Sequence, residues 1–191
     1  MKPMLASLFF AVTVTVGAAQ THEHPQSRTP DRAHSPSTPY AGLQDREIKA
    51  LSAQQVDELH SGKGMSLALA AELNGYPGPA HVLELQDALQ LTRDQQKETA
   101  NLVQQMKLDA QRLGQGVLAA EAQLDRLFKN GQPSATTVSQ AVEAAARAHA
   151  ALRASHLGFH LRMVEVLTPA QTAAYQRLRG YAAVASAPGR P

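Results

Sequence analysis

Residues 93–129 read RDQQKETANLVQQMKLDAQRLGQGVLAAEAQLDRLFK, and the spacing of their apolar side chains decides the fold. Leu102, Met106, Ala110, Leu113, Val117, Ala120, Leu124 and Leu127 follow one another at steps of three and four. That rhythm lies close to the 3.5-residue repeat of helices packing side by side. A continuous helix over this stretch reaches roughly 55 Å at 1.5 Å per residue. Asn130-Gly131 closes it, and Gly114 and Gly116 interrupt an otherwise good helical propensity, offering a place to bend.

A second rod follows over 135–166. Its stripe is Val138, Val142, Ala145, His149, Leu152, His156, Phe159, Met163 and Val166. Gln132-Pro133-Ser134 supplies the turn, so the two rods are expected to form a long antiparallel hairpin. Short helices flank it. The sequence predicts one or two within 43–60 with Ser52 as an N-cap, one over 65–73 and one over 80–89. Asn74-Gly75 and Pro77-Gly78-Pro79 punctuate these, and a last helix starts at Pro169 and fades near Ala185.

Outward from this core the chain changes character. Lys2, the apolar stretch Leu5–Val16 and the small residues Gly17, Ala18 and Ala19 have the three-part pattern of a secretory signal over 1–19. The stretch is too short for a stable membrane anchor, and no later run approaches a span. In a bacterium the destination is the periplasm. Residues 20–40 hold Pro25, Pro30, Pro36 and Pro39 with His22, His24 and His34, and read as a disordered linker. The helical domain then covers 41–185, and 186–191 is a tail.

Composition narrows the chemistry. The 191 residues include no Cys, which removes disulfide scaffolds and thiolate metal sites. A net charge of +2 without a basic run argues against a nucleic-acid partner. With aromatics at 4% and much of the apolar content in Ala, the core is expected to be shallow, an arrangement that favours a partner chain.

One short motif occurs twice, as Leu91-Thr92-Arg93-Asp94-Gln95 and Leu167-Thr168-Pro169-Ala170-Gln171. Each reads as a capping box. The Thr hydroxyl accepts from the backbone N–H three residues on, and the Gln side chain reaches back to the Thr N–H. Pro169 suits the first helical position, where its missing N–H costs nothing.

An export signal, a small helical chain, a long hairpin and two L-T-x-x-Q boxes together resemble the periplasmic LTxxQ family. That family includes the Spy and CpxP stress proteins and the related heavy-metal proteins CnrX and ZraP. The resemblance covers roughly 65–182. It implies an all-α fold of bent hairpins paired into a cradle-shaped homodimer. It further implies one of two roles: holding unfolding client proteins without ATP, or binding metal ions while acting on an envelope-stress signalling protein.

Metal-ligand spacing distinguishes these roles. His156 and His160 stand at i, i+4 on the second rod, so both imidazoles project from one face. Met163 lies three residues on, and a His–His–Met set suits copper, with nickel and zinc as the other transition-metal candidates. His149, His156, Phe159 and Met163 also lie on the packing stripe, where Met is commonly core filler. The metal-sensing relatives have a Met shortly before the second box, which Met163 matches. They have a His four residues before that Met, where this chain has Phe159. Upstream of the first box, their His-rich segment is represented here only by His81. Cleavage after Ala19 would create a second candidate, with His22 third from a free amine in a square-planar nitrogen set.

The sequence holds no H-E-x-x-H, no G-x-S-x-G and no glycine-rich phosphate loop, so catalysis is not expected. Glu72, Glu84 and Asp87 read as solvent-facing charges on short helices. The remaining hypotheses are a metal-binding sensor or resistance accessory, and a chaperone. The chaperone would offer clients shallow apolar contact among charges such as Lys107, Arg112, Arg126, Arg147 and Arg153.

Overall fold

The computed structural model describes residues 39–181. The expected signal, most of the 20–40 linker including His22, and the tail at 186–191 lie outside them. The described residues are helical, without strands. A 3-10 turn at Leu43–Asp45 precedes α1 (Ala53–Ser61), α2 (Leu69–Glu72), α3 (Pro79–Glu84), α4 (Arg93–Lys129), α5 (Ala135–Val166) and α6 (Pro169–Leu178). No helix among them is long and apolar enough to cross a membrane.

The two long helices occupy the expected residues, and local chemistry explains their ends. Thr92 caps α4 and Thr168 caps α6, each with both arms of the box formed. Ser52 caps α1 in the same way with Gln55, and Ser134 caps α5 through the Thr137 N–H. The short helices are shorter than predicted. Met65 and Ser66 have φ of 44° and 60°, so no right-handed helix begins until Leu69. Past Glu84 the chain turns away from helical geometry, with Gln90 at φ 51°, and this delivers Leu89 and Leu91 to the core. Gly180, at φ 73°, follows the end of α6, which stops well short of Ala185.

Side chains join α4 to α5 at several levels. Arg162 donates to Gln105 Oε1 (2.9 Å), His149 Nε2 lies 2.9 Å from Glu121 Oε1, and Gln95 Nε2 donates to the Val166 carbonyl (2.9 Å). Two apolar clusters form beneath the short helices. One gathers Val82, Leu89, Leu91, Leu102, Phe159, Met163, Leu167 and Tyr175. The other gathers Ile48, Leu51, Leu59, Ala110, Val117, Leu118 and Leu152.

The predicted stripes are buried only in part. Leu102, Ala110 and Val117 are buried, whereas Leu124 and Leu127 are half-buried and Phe128 is exposed. On α5, Val142 and His149 face out while Ala141 takes an inward position. A helix of 3.6 residues per turn drifts about 20° per heptad from a 3.5 pattern, which carries the later stripe positions away from the buried face.

Gly114 admits α1 to the surface of α4. A Cβ there would stand 2.5 Å from the Leu59 carbonyl oxygen, whereas one at Gly116 would meet nothing within 4 Å.

Candidate functional site

Between α2, α3, α4 and α5 lies a cavity of about 350 Å³ whose wall includes His81, His156, His160, Glu72, Met65 and Met106. The expected pair His156 and His160 is thus brought together on one wall, and both rings are buried. Met163 is not on that wall. It is fully buried in the apolar cluster with Phe159 and Tyr175, so the structure separates it from the histidines it was grouped with.

The backbone fixes both rings. His156 Nδ1–H donates to the Leu152 carbonyl one turn earlier (3.0 Å), and His160 Nδ1–H donates to the Tyr76 carbonyl (2.8 Å). A carbonyl only accepts, so Nδ1 carries the proton in each bond, and Nε2 is the ring atom left for any further partner. His156 Nε2 is buried and has no hydrogen-bond partner. An acceptor left unpaired in the interior costs about 1–3 kcal/mol, so this atom has a cost that a bound ligand would relieve.

The wall also includes a residue the sequence misassigns. Glu72 is 3% exposed, not solvent-facing. Its carboxylate accepts from the Tyr175 hydroxyl and from the Gly78 N–H (3.0 Å), and it lies 3.3 Å from His81 Nδ1 and 3.7 Å from His160 Nδ1. Arg179 Nε stands 3.8 Å away. A buried carboxylate is tolerated when it is paired and hydrogen-bonded in this manner. Burial, together with the hydrogen bond to the Glu72 carboxylate, holds the Tyr175 hydroxyl in its protonated form well above the usual phenol range.

Glu72 thereby ties α2 to α3, α5 and α6 and backs two of the three imidazoles. Carboxylates and carbonyls in this outer position are the usual means of orienting a ligating imidazole. The Pro77-Gly78-Pro79 break, read from sequence only as a helix terminator, supplies the Gly78 N–H. It also leaves room for the His160 ring, which a Cβ at residue 78 would approach to 3.0 Å.

Among the described residues no three His, Asp or Glu side chains converge as a ready-made metal centre. The cavity instead offers two backbone-anchored imidazoles, with Met65 and Met106 also among its lining residues. His81, whose side chain is 40% exposed, adds a third ring at the edge.

The capping residues form a second constellation. Gln95 Nε2 donates to Gln171 Oε1 (2.8 Å), and Gln171 Nε2 donates back to Gln95 Oε1 (3.0 Å). Sequence reasoning identified both boxes without showing that they meet; the repetition of the motif was the available signal.

Comparison of the chain with protein-family models, with curated proteins and with solved structures finds no match.

Proposed function

We propose that this is an exported, periplasmic stress protein of the LTxxQ type. In this reading its long rods form an antiparallel hairpin that pairs into a homodimer. It binds a transition-metal ion, copper, nickel or zinc, as a sensor or resistance accessory to an envelope-stress signalling protein, without a catalytic role. The paired boxes support the family reading, and the run of cross-bonds between α4 and α5 supports the hairpin. The observation that carries the function is the buried, unpartnered Nε2 of His156 beside the similarly anchored ring of His160. An anchored Nδ1–H with a free Nε2 is the state in which an imidazole ligates metal.

Calorimetric titration of the chain with Cu(II), Ni(II) and Zn(II) tests this. A tight site that disappears in His156→Ala/His160→Ala is expected. Undiminished affinity in that double variant rejects the helix site and leaves any binding to His22 and the other linker histidines.

Exposed large apolar side chains on the long helices favour a second reading. Leu108 (64% exposed), Phe128 (60%) and Leu161 (55%) offer shallow contact to an unfolding client. As an ATP-independent chaperone, the protein would slow aggregation of a client at near-stoichiometric ratio, with or without metal.

A further inference from the structure

The proposed metal reading leaves open which ion the cavity selects, and its donor set answers that. Resting on that reading, we propose that the cavity is a cuprous-ion site, with the Nε2 atoms of His156 and His160 and the thioether sulfurs of Met65 and Met106 as its donors.

Four observations lead to this ion. First, both imidazoles spend Nδ1 on a backbone carbonyl, which leaves Nε2 as the ring atom for a ligand, and that of His156 is buried and unsatisfied. Second, Met65 and Met106 are the thioethers on the cavity wall, both half-buried, and they come from different segments. Soft thioethers select Cu(I), while hard cations require oxygen ligands. Third, the carboxylate within reach is committed elsewhere: Glu72 accepts from Tyr175 and Gly78, and withdrawing it would strand both donors in the interior. Fourth, among the described residues no three His, Asp or Glu side chains form a group that could hold a metal ion, so a site for zinc or nickel built of nitrogen and oxygen donors is short of ligands. Cu(I) accepts few ligands and favours sulfur.

The segment that carries Met65 is itself unusual. Met65 and Ser66 both hold left-handed backbone conformations, which cost of order 1–3 kcal/mol each in residues other than glycine. The strained turn brings Met65 to the cavity lining, and metal coordination by its thioether would hold that turn in place.

The test is an anaerobic Cu(I) titration against the chromophoric competitor bicinchoninate, on the purified full chain with His22, His24 and His34 changed to Ala. It is run for the parent, for Met65→Leu/Met106→Leu, and for His156→Ala/His160→Ala. Leu conserves the volume of Met, and circular dichroism verifies the fold of each variant. The parent is expected to withdraw one equivalent of copper. Each double variant is expected to lose affinity by more than the roughly tenfold typical of removing supporting partners. Copper-edge X-ray absorption of the parent should show sulfur beside imidazole nitrogen. Met variants that keep the parent's Cu(I) affinity, with a spectrum free of sulfur, overturn the thioether assignment and leave metal binding by the histidines standing. A parent that takes up no Cu(I) but binds nickel or zinc overturns the choice of ion alone. A parent that binds none of the three overturns the metal reading as well.

Discussion

The side-chain amides of Gln95 and Gln171 face one another in a reciprocal pair, each donating to the other's oxygen at 2.8 and 3.0 Å. Each amide oxygen also accepts from its own box, from the N–H of Thr92 (3.0 Å) or Thr168 (2.9 Å). Each amide nitrogen also donates to a carbonyl just ahead of the other box, Gln95 to Val166 (2.9 Å) and Gln171 to Leu89 (3.3 Å). The two helix starts are thus clasped together with near-symmetric bonding, and the start of α4 is fixed against the junction of α5 and α6.

That clasp should behave as a unit. Gln95→Ala and Gln171→Ala are each expected to cost about 1–3 kcal/mol, because removing one amide strands its partner's hydrogen-bonding groups. The double variant should cost less than the sum of the singles, with a coupling energy of about 0.5–3 kcal/mol. Urea unfolding of the four proteins measures this, and additive losses would show that the boxes cap independently.

Gly114 and Gly116 give opposite predictions two residues apart. Gly116→Ala adds a Cβ in open space and should stabilise the chain by up to about 1 kcal/mol through helix propensity. Gly114→Ala drives a Cβ to 2.5 Å from the Leu59 carbonyl and should destabilise by about 1–3 kcal/mol as α1 is pushed outward. Melting temperatures shifted in the same direction by both substitutions would contradict this packing of α1 on α4.

Tyr175 links stability to alkaline pH. Its hydroxyl is held protonated in the folded chain by burial and by the Glu72 carboxylate, while in the unfolded chain it ionises near the usual value of about 10. The folded state therefore binds the proton more tightly. The associated stability is fully present below the ordinary phenol pKa and declines as pH rises above it. Tyr175→Phe should lower stability at neutral pH by about 1–3 kcal/mol and flatten the decline above pH 10. An unchanged alkaline slope in the variant would remove Tyr175 from this role.

Glu72 has the larger effect. Glu72→Ala strands the Gly78 N–H and the Tyr175 hydroxyl in the interior and should cost about 3–5 kcal/mol, whereas Glu72→Gln, which keeps an acceptor, should cost appreciably less. Equal losses in denaturant titrations would mean that the carboxylate's contacts contribute little.

What the sequence shows of this molecule follows from how local each cause is. The start of α4 and the end of α5 are legible because Thr92 and Thr168 are capping residues whose partners lie three positions away, and the break between the two helices because Gln132-Pro133-Ser134 reads as a turn. The His156/His160 pairing is legible because it is set by one helical turn. Glu72 is not, since its burial depends on Tyr175, over a hundred residues on, closing over it. Met163 and the cavity thioethers are confused for the same reason. On one helix Met163 stands near the histidines, but side-chain direction sends it into the core, and the methionines on the cavity wall arrive from the turn before α2 and from α4. Met65 and Ser66 carry no glycine-like signal for their left-handed backbone, so the early part of the predicted 65–73 helix had nothing in sequence to stop it.

Anomalous diffraction locates a metal without reference to any assay. Crystals of the full chain loaded separately with Cu(I), Ni(II) and Zn(II), measured at each absorption edge, test the central claim most directly. A strong peak within bonding reach of the Nε2 atoms of His156 and His160 is predicted for at least one of these ions. Peaks confined to His22 and its neighbours, or no ordered metal beside an intact pair of rings, would contradict it.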